Sequence, residues 1–85
     1  MAQKIVNLTT NNFIPDAESG KLKLSLSKST LGMSTPNYRL AKFLRETEEG
    51  DYKPVVMPYT ITSEGNFEAL TDEAFSARAI FISDV

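Results

Sequence analysis

The sequence predicts an α+β domain built on a small, mostly antiparallel β-sheet of four or five strands, with one or two short helices. An all-β sandwich or barrel is the alternative. Three observations carry this expectation. Leu22, Leu24 and Leu26 alternate with Lys21, Lys23, Ser25 and Ser27, a period of two that puts the leucines on one face of a strand. Further short apolar runs, rich in β-branched and aromatic residues, are separated by Gly, Pro and Asn punctuation. Finally, 85 residues with 41% hydrophobic content suit one packed domain spanning residues 1–85, and no internal repeat or linker divides it.

Taken along the chain, Gln3–Thr10 reads as a short strand carrying Ile5, Val6 and Leu8. Phe13-Ile14-Pro15 reads as an edge or loop, because Pro15 lacks a backbone donor, and Asp16–Gly20 as a turn. Lys21–Ser27 is the half-buried strand described above. Ser29–Pro36 is polar, contains Gly32 and reads as a loop. Thr35-Pro36 then resembles a helix start, and Leu40, Phe43, Leu44 and Thr47 share one helical face before Gly50. Against that helix, its cations come early and its glutamates late, opposed to the helix dipole. The rival is a hairpin of strands Tyr38–Arg45 and Tyr52–Thr62 about a turn at Glu48–Asp51; the helix is the favoured reading. Tyr52–Thr62 is strand-like in composition, with Pro54 and Pro58 pushing it to an edge or bulge. Ser63–Asn66 is a hairpin turn into a return strand Phe67–Leu70. Thr71 would cap a short helix reaching about Ala79, stapled by Leu70 and Phe75. Ile80-Phe81-Ile82 closes the chain as a buried strand.

The chain contains no cysteine, histidine or tryptophan. A disulfide framework, a Cys/His zinc site, a thiolate nucleophile and any imidazole-dependent triad are therefore excluded. No Gly-x-Ser-x-Gly or Ser-x-x-Lys pattern is present, and the glycines stand isolated, so no phosphate-cradling loop is visible. The expectation is a non-enzymatic protein with no cofactor, no metal and no small-molecule substrate. No apolar run is long enough for a secretory signal or a membrane span, which predicts a cytoplasmic protein with no membrane partner.

Charge is uneven along the chain although the net is only −2. Residues 1–45 hold seven basic and two acidic residues (7 − 2 = +5), and residues 46–85 hold two basic and nine acidic (2 − 9 = −7). One consequence is a candidate face for an anionic partner: Lys21, Lys23 and Lys28 along one strand, Arg39 and Lys42 adding charge, and Tyr38 or Tyr52 available for base stacking. The blander alternatives are lysines that keep an edge strand soluble, or two halves that neutralise each other in the fold. Glu46, Glu48, Glu49 and Asp51 do not follow the spacing of a calcium loop and read as a solvated helix end or turn. Val55, Val56, Met57 and Tyr59, interrupted by Pro58, form a candidate protein-interface edge.

These features favour a small non-enzymatic assembly or interaction protein. It would form a homo-oligomer or dock on a larger protein, and its size and plain composition are of the type found among accessory proteins of phages and mobile elements, with a virion location in that case. A single-stranded nucleic-acid binder using the Lys-rich face is the alternative. A third possibility is an acidic inhibitor mimicking nucleic acid through Glu46–Asp51 and Asp72-Glu73.

Overall fold

The strand Ala2–Leu8 (β1) opens the chain and leads through a 3-10 turn at Thr10–Asn12 into Phe13–Asp16 (β2). In that turn the Thr9 amide donates to Asn12 Oδ1 at 2.8 Å. This computed structural model describes residues 2–32 and 38–83. Beyond β2 the elements are Lys21–Leu26 (β3), a single helical turn Lys28–Leu31 (α1), Tyr38–Glu46 (β4), Tyr52–Pro54 (β5), Tyr59–Ile61 (β6), Phe67–Thr71 (β7) and Ala77–Ser83 (β8). They form two four-stranded sheets, both antiparallel. The first has the order β1-β8-β4-β5 and the second β2-β3-β7-β6. The small, mostly antiparallel β fold expected from the sequence is therefore the one observed, and it takes the β-rich form with little helix.

The two sheets face each other across a core of aromatic rings. Phe67 of β7 meets Phe81 of β8 edge-on, with ring centres 5.1 Å apart, and Tyr38 of β4 also packs edge-on with Phe81 at 5.9 Å. Phe75, on the loop between β7 and β8, lies between Phe13 (5.1 Å) and Phe43 (5.9 Å). Leu24 and Leu26 of β3 are buried among them and Leu22 is half-buried, as their alternation requires. Ala77 and Ala79 of β8 leave the space that these rings occupy.

Three readings are corrected by the structure. The segment 38–46 is strand β4, not helix; the proposed helix start at Thr35-Pro36 lies outside the described residues. A β-bulge between Leu40 and Lys42 explains the helix-like spacing. Tyr38 and Leu40 pair with Ser83 and Phe81 and point inward. The extra residue Ala41 then shifts the alternation so that Phe43, three residues after Leu40, points inward as well. A strand with one bulge thus imitates the i, i+3 step of a helix. Gly50 is accordingly a turn residue at φ +87° in the β4–β5 hairpin, where a side chain would be strained.

The second correction concerns 71–79: Thr71 ends β7 and Ala77 begins β8, with irregular chain between them and no helix. Phe75 is buried whereas Leu70 is 44% exposed on the opposite side of its sheet, so the two form no staple. Third, Tyr52–Thr62 is not one strand. β5 and β6 belong to different sheets, and Val55–Pro58 crosses between them. The expected Ser29–Pro36 loop also gains α1, capped by the Ser27 hydroxyl, which accepts from the Thr30 amide at 3.2 Å.

Candidate interaction surface

Strand alternation and register decide which charged side chains share a face. On the outer face of the second sheet, Lys21 and Lys23 of β3 stand beside carboxylates from the acidic half of the sequence. Lys21 Nζ lies 3.5 Å from Asp72 Oδ1, and Lys23 Nζ lies 3.6 Å from Glu68 Oε1. Asp16 is directly across from Lys21 on β2. A third ion pair joins Arg45 to Glu73, with the Arg45 guanidinium 4.6 Å above the centre of the Phe75 ring. The +5 and −7 halves are thereby interleaved in space.

Lys28 lies on α1 rather than on that strand. Its amide donates to Asn66 Oδ1 at 3.2 Å, and its side-chain stem runs beside Gly65. Tyr38 is 6% exposed and faces the core, where its hydroxyl donates to the Gly65 carbonyl at 2.7 Å. Burial raises its pKa above the ordinary tyrosine value. Its ring therefore offers no stacking platform. Arg39 and Lys42 project from the outer face of the first sheet, on the far side of the domain from Lys21 and Lys23. The six residues of the sequence-derived cationic face thus occupy four places: Lys21 and Lys23 on one sheet, Arg39 and Lys42 on the other, Lys28 on the helical turn and Tyr38 inside.

The candidate edge Val55–Tyr59 is the strap between the two sheets. Val55 and Met57 are half-buried against the core, and the Val55 amide donates to the Phe43 carbonyl at 2.9 Å. The Tyr59 ring stacks on Phe67 at 5.3 Å, and its hydroxyl accepts from the Leu40 amide at 3.4 Å. Val56 projects furthest outward, 97% exposed, against 38% for Tyr59. Of the acidic run, Glu46 ends β4 and Glu48, Glu49 and Asp51 occupy the β4–β5 turn, closed by the Thr47 amide donating to the Asp51 carbonyl at 2.7 Å. Among the described residues, no group of three or more acidic side chains is placed to hold a metal ion.

Sequence reasoning missed the outer face of the first sheet. There Ile5 of β1 is directly across from Ile80 of β8, which is across from Lys42 of β4. Gln3, Ile82 and Arg39 form the next row on one side; Asn7, Arg78, Leu44 and Pro54 form the row on the other. Ile5 is 49% exposed, and Ile80, Ile82 and Leu44 are half-buried. Arg78 is held across this face, with its Nε donating to Asn7 Oδ1 at 3.1 Å and its guanidinium 4.5 Å above the Tyr52 ring centre. Reading Ile80-Phe81-Ile82 with period two would have placed Phe81 inside and both isoleucines outside. Among the described residues no strand pairs with the second edge of β1. In comparisons with known proteins, no family, no curated sequence and no solved structure matches this chain.

Proposed function

We propose that this chain is a small non-enzymatic assembly protein that works by associating with copies of itself through its first sheet. The outer face of that sheet carries the proposal. Ile5, Ile80, Ile82 and Leu44 form a contiguous apolar surface, with Tyr52 39% exposed at its margin and Arg39, Lys42 and Arg78 distributed over it. Apolar surface gathered on one sheet face, beside an open strand edge, suits contact with protein better than contact with water alone. A 9.4 kDa chain without disulfides also gains proportionally more from added burial than a larger one. Sedimentation velocity over a concentration series tests the reading. The expected result is a mass that rises above 9.4 kDa as concentration increases. A strict monomer up to about 1 mM, where even millimolar affinities register, removes it.

A second reading is supported by the three cations on the same face: Arg39, Lys42 and Arg78 beside Tyr52 resemble in kind the charged, aromatic surfaces that hold single-stranded nucleic acid. Titration of a labelled oligonucleotide at several salt concentrations tests it. Affinity that falls steeply with salt, and falls again in Lys42→Glu, supports it, whereas no binding at low salt ends it.

A further inference from the structure

Four strand edges close the two sheets, and three of them are protected. β2 has four residues and contains Pro15; β5 has three and contains Pro54; β6 has three and follows Pro58. Short strands and prolines are the usual means of preventing edge-to-edge addition. β1 has neither of these, and its one guard is the charge of Lys4 on the inward face. It runs seven residues, Ala2–Leu8, with no proline and one charge, Lys4, and among the described residues it stands at the end of the first sheet with β8 on one side only. An edge strand presents unpaired backbone donors and acceptors along its open side, which a second extended segment can satisfy.

We infer that β1 pairs antiparallel with β1 of a second copy about a two-fold axis at Ile5, joining the two first sheets into one eight-stranded sheet. This rests on the self-association proposed above and specifies its geometry. The sequence of the strand itself selects the register. Residues opposite each other in an antiparallel pair share a face, so outward Ile5 must meet an outward residue; any pairing that sets it against inward-facing Val6 is excluded. Centring on Lys4 places two lysines directly opposite each other, and centring on Val6 leaves only residues 4–8 paired. Centring on Ile5 pairs the whole strand: Ile5 with Ile5, Gln3 with Asn7, and Lys4 with Val6.

In that arrangement the outward stripe runs Lys42, Ile80, Ile5 and on through Ile5, Ile80 and Lys42 of the second copy, apolar at the centre and cationic at both ends. The amides of Gln3 and Asn7 face each other on either side. On the inward face the aliphatic stem of Lys4 covers half-buried Val6 of the second copy. Charge complementarity is neutral at the seam and repulsive only for lysines placed opposite each other, which this register avoids. The assembly closes at two copies, because each β1 is consumed and the far edge, β5, is blocked by its length and Pro54. The strip of contact is about 24 Å long, at 3.4 Å per residue. Contact confined to one strand-to-strand seam lies at the small end of interfaces, below the roughly 1,200 Å² buried in stable complexes, so the dimer is weak and concentration-dependent.

The test uses position 5, where a 49% exposed side chain tolerates replacement. Ile5→Glu and Ile5→Lys should each shift the dimer to monomer, weakening association on the order of tenfold or more through like charges directly opposed. An equimolar mixture of the two should restore it as a heterodimer. Thermal melts by circular dichroism confirm that both variants are folded. The native chain has no cysteine, so Ile5→Cys should give a disulfide-linked dimer on mild oxidation, because directly opposed residues fall within disulfide reach. Gln3→Cys and Asn7→Cys should link when mixed with each other and not alone. If the native protein associates but Ile5→Cys does not cross-link and neither charge variant weakens the dimer, the β1 seam is wrong and self-association by another surface stands. A native protein that stays monomeric overturns both.

Discussion

Tyr38 shows how a residue offered as a recognition group becomes a structural one. Its ring closes the core against Phe81, and its hydroxyl satisfies the Gly65 carbonyl in the β6–β7 turn. Gly65 holds φ at +93°, so the turn carbonyl is presented by a backbone conformation that a side chain would strain. Tyr38→Phe keeps the ring and removes the donor. Its expected cost is about 1–2 kcal/mol, because a buried carbonyl loses its partner, measurable as a lower denaturant midpoint. The raised pKa also gives a pH dependence with a definite sign. Burial favours the neutral phenol, so the unfolded chain ionises first as pH rises. The contribution is fully present below the unfolded value near 10 and is lost as pH rises through the higher folded value. The alkaline decline in stability should be shallower in Tyr38→Phe than in the native protein, as read by denaturant titrations at neutral and strongly alkaline pH.

At the scale of elements, β4 teaches the most. Its helix-like spacing comes from one extra residue, Ala41, sitting between pairs Leu40–Phe81 and Lys42–Ile80. Removing that residue leaves Tyr38, Leu40, Phe43 and Arg45 in strict alternation with the same partners. Deletion of Ala41 should therefore preserve the fold at a cost within about 1 kcal/mol, the usual scale of strand effects. Deletion of Ile80 from β8 should unfold the protein, since every following side chain exchanges faces and Phe81 leaves the core. Circular dichroism and thermal melts of the two deletions provide the comparison. Much of this level is legible in sequence: β3 shows its faces in the leucine alternation, and Ser63–Asn66 marks the β6–β7 turn. β4 was legible only as the less favoured rival strand Tyr38–Arg45, and the start of β8 was not legible. A bulge and a pair of small inward alanines both disturb the local period on which such reading depends.

For the whole molecule, stability rests on the ring cluster between the sheets, not on surface charge. Phe81 is fully buried and touches both Phe67 and Tyr38. Truncation to alanine at such a site costs about 3–5 kcal/mol. The whole domain, at the usual per-residue value, is stable by only about 4–13 kcal/mol. Phe81→Ala should accordingly be unfolded or nearly so at 37 °C, seen as loss of a cooperative thermal transition. The ion pairs Lys21–Asp72, Lys23–Glu68 and Arg45–Glu73 are exposed, and each adds at most about 1 kcal/mol. Their larger effect is on recognition: they offset the charge of Lys21 and Lys23 on the second sheet, where Ile14 and Leu70 are also exposed on either side of Lys23.

The sequence alone determined that no thiol or imidazole chemistry is carried by its own residues and which leucines of β3 go inside, because residue identity and a period of two are local properties. It also determined the separation of charge into a basic and an acidic half. The tertiary structure alone decided that these halves interleave, that 38–46 is a strand, and that β1 is, among the described residues, the one long edge without proline. Each of these depends on which distant strand lies alongside. Pairing between segments as far apart as Lys4 and Phe81 is set by packing the two sheets around a common core, which local patterning does not encode.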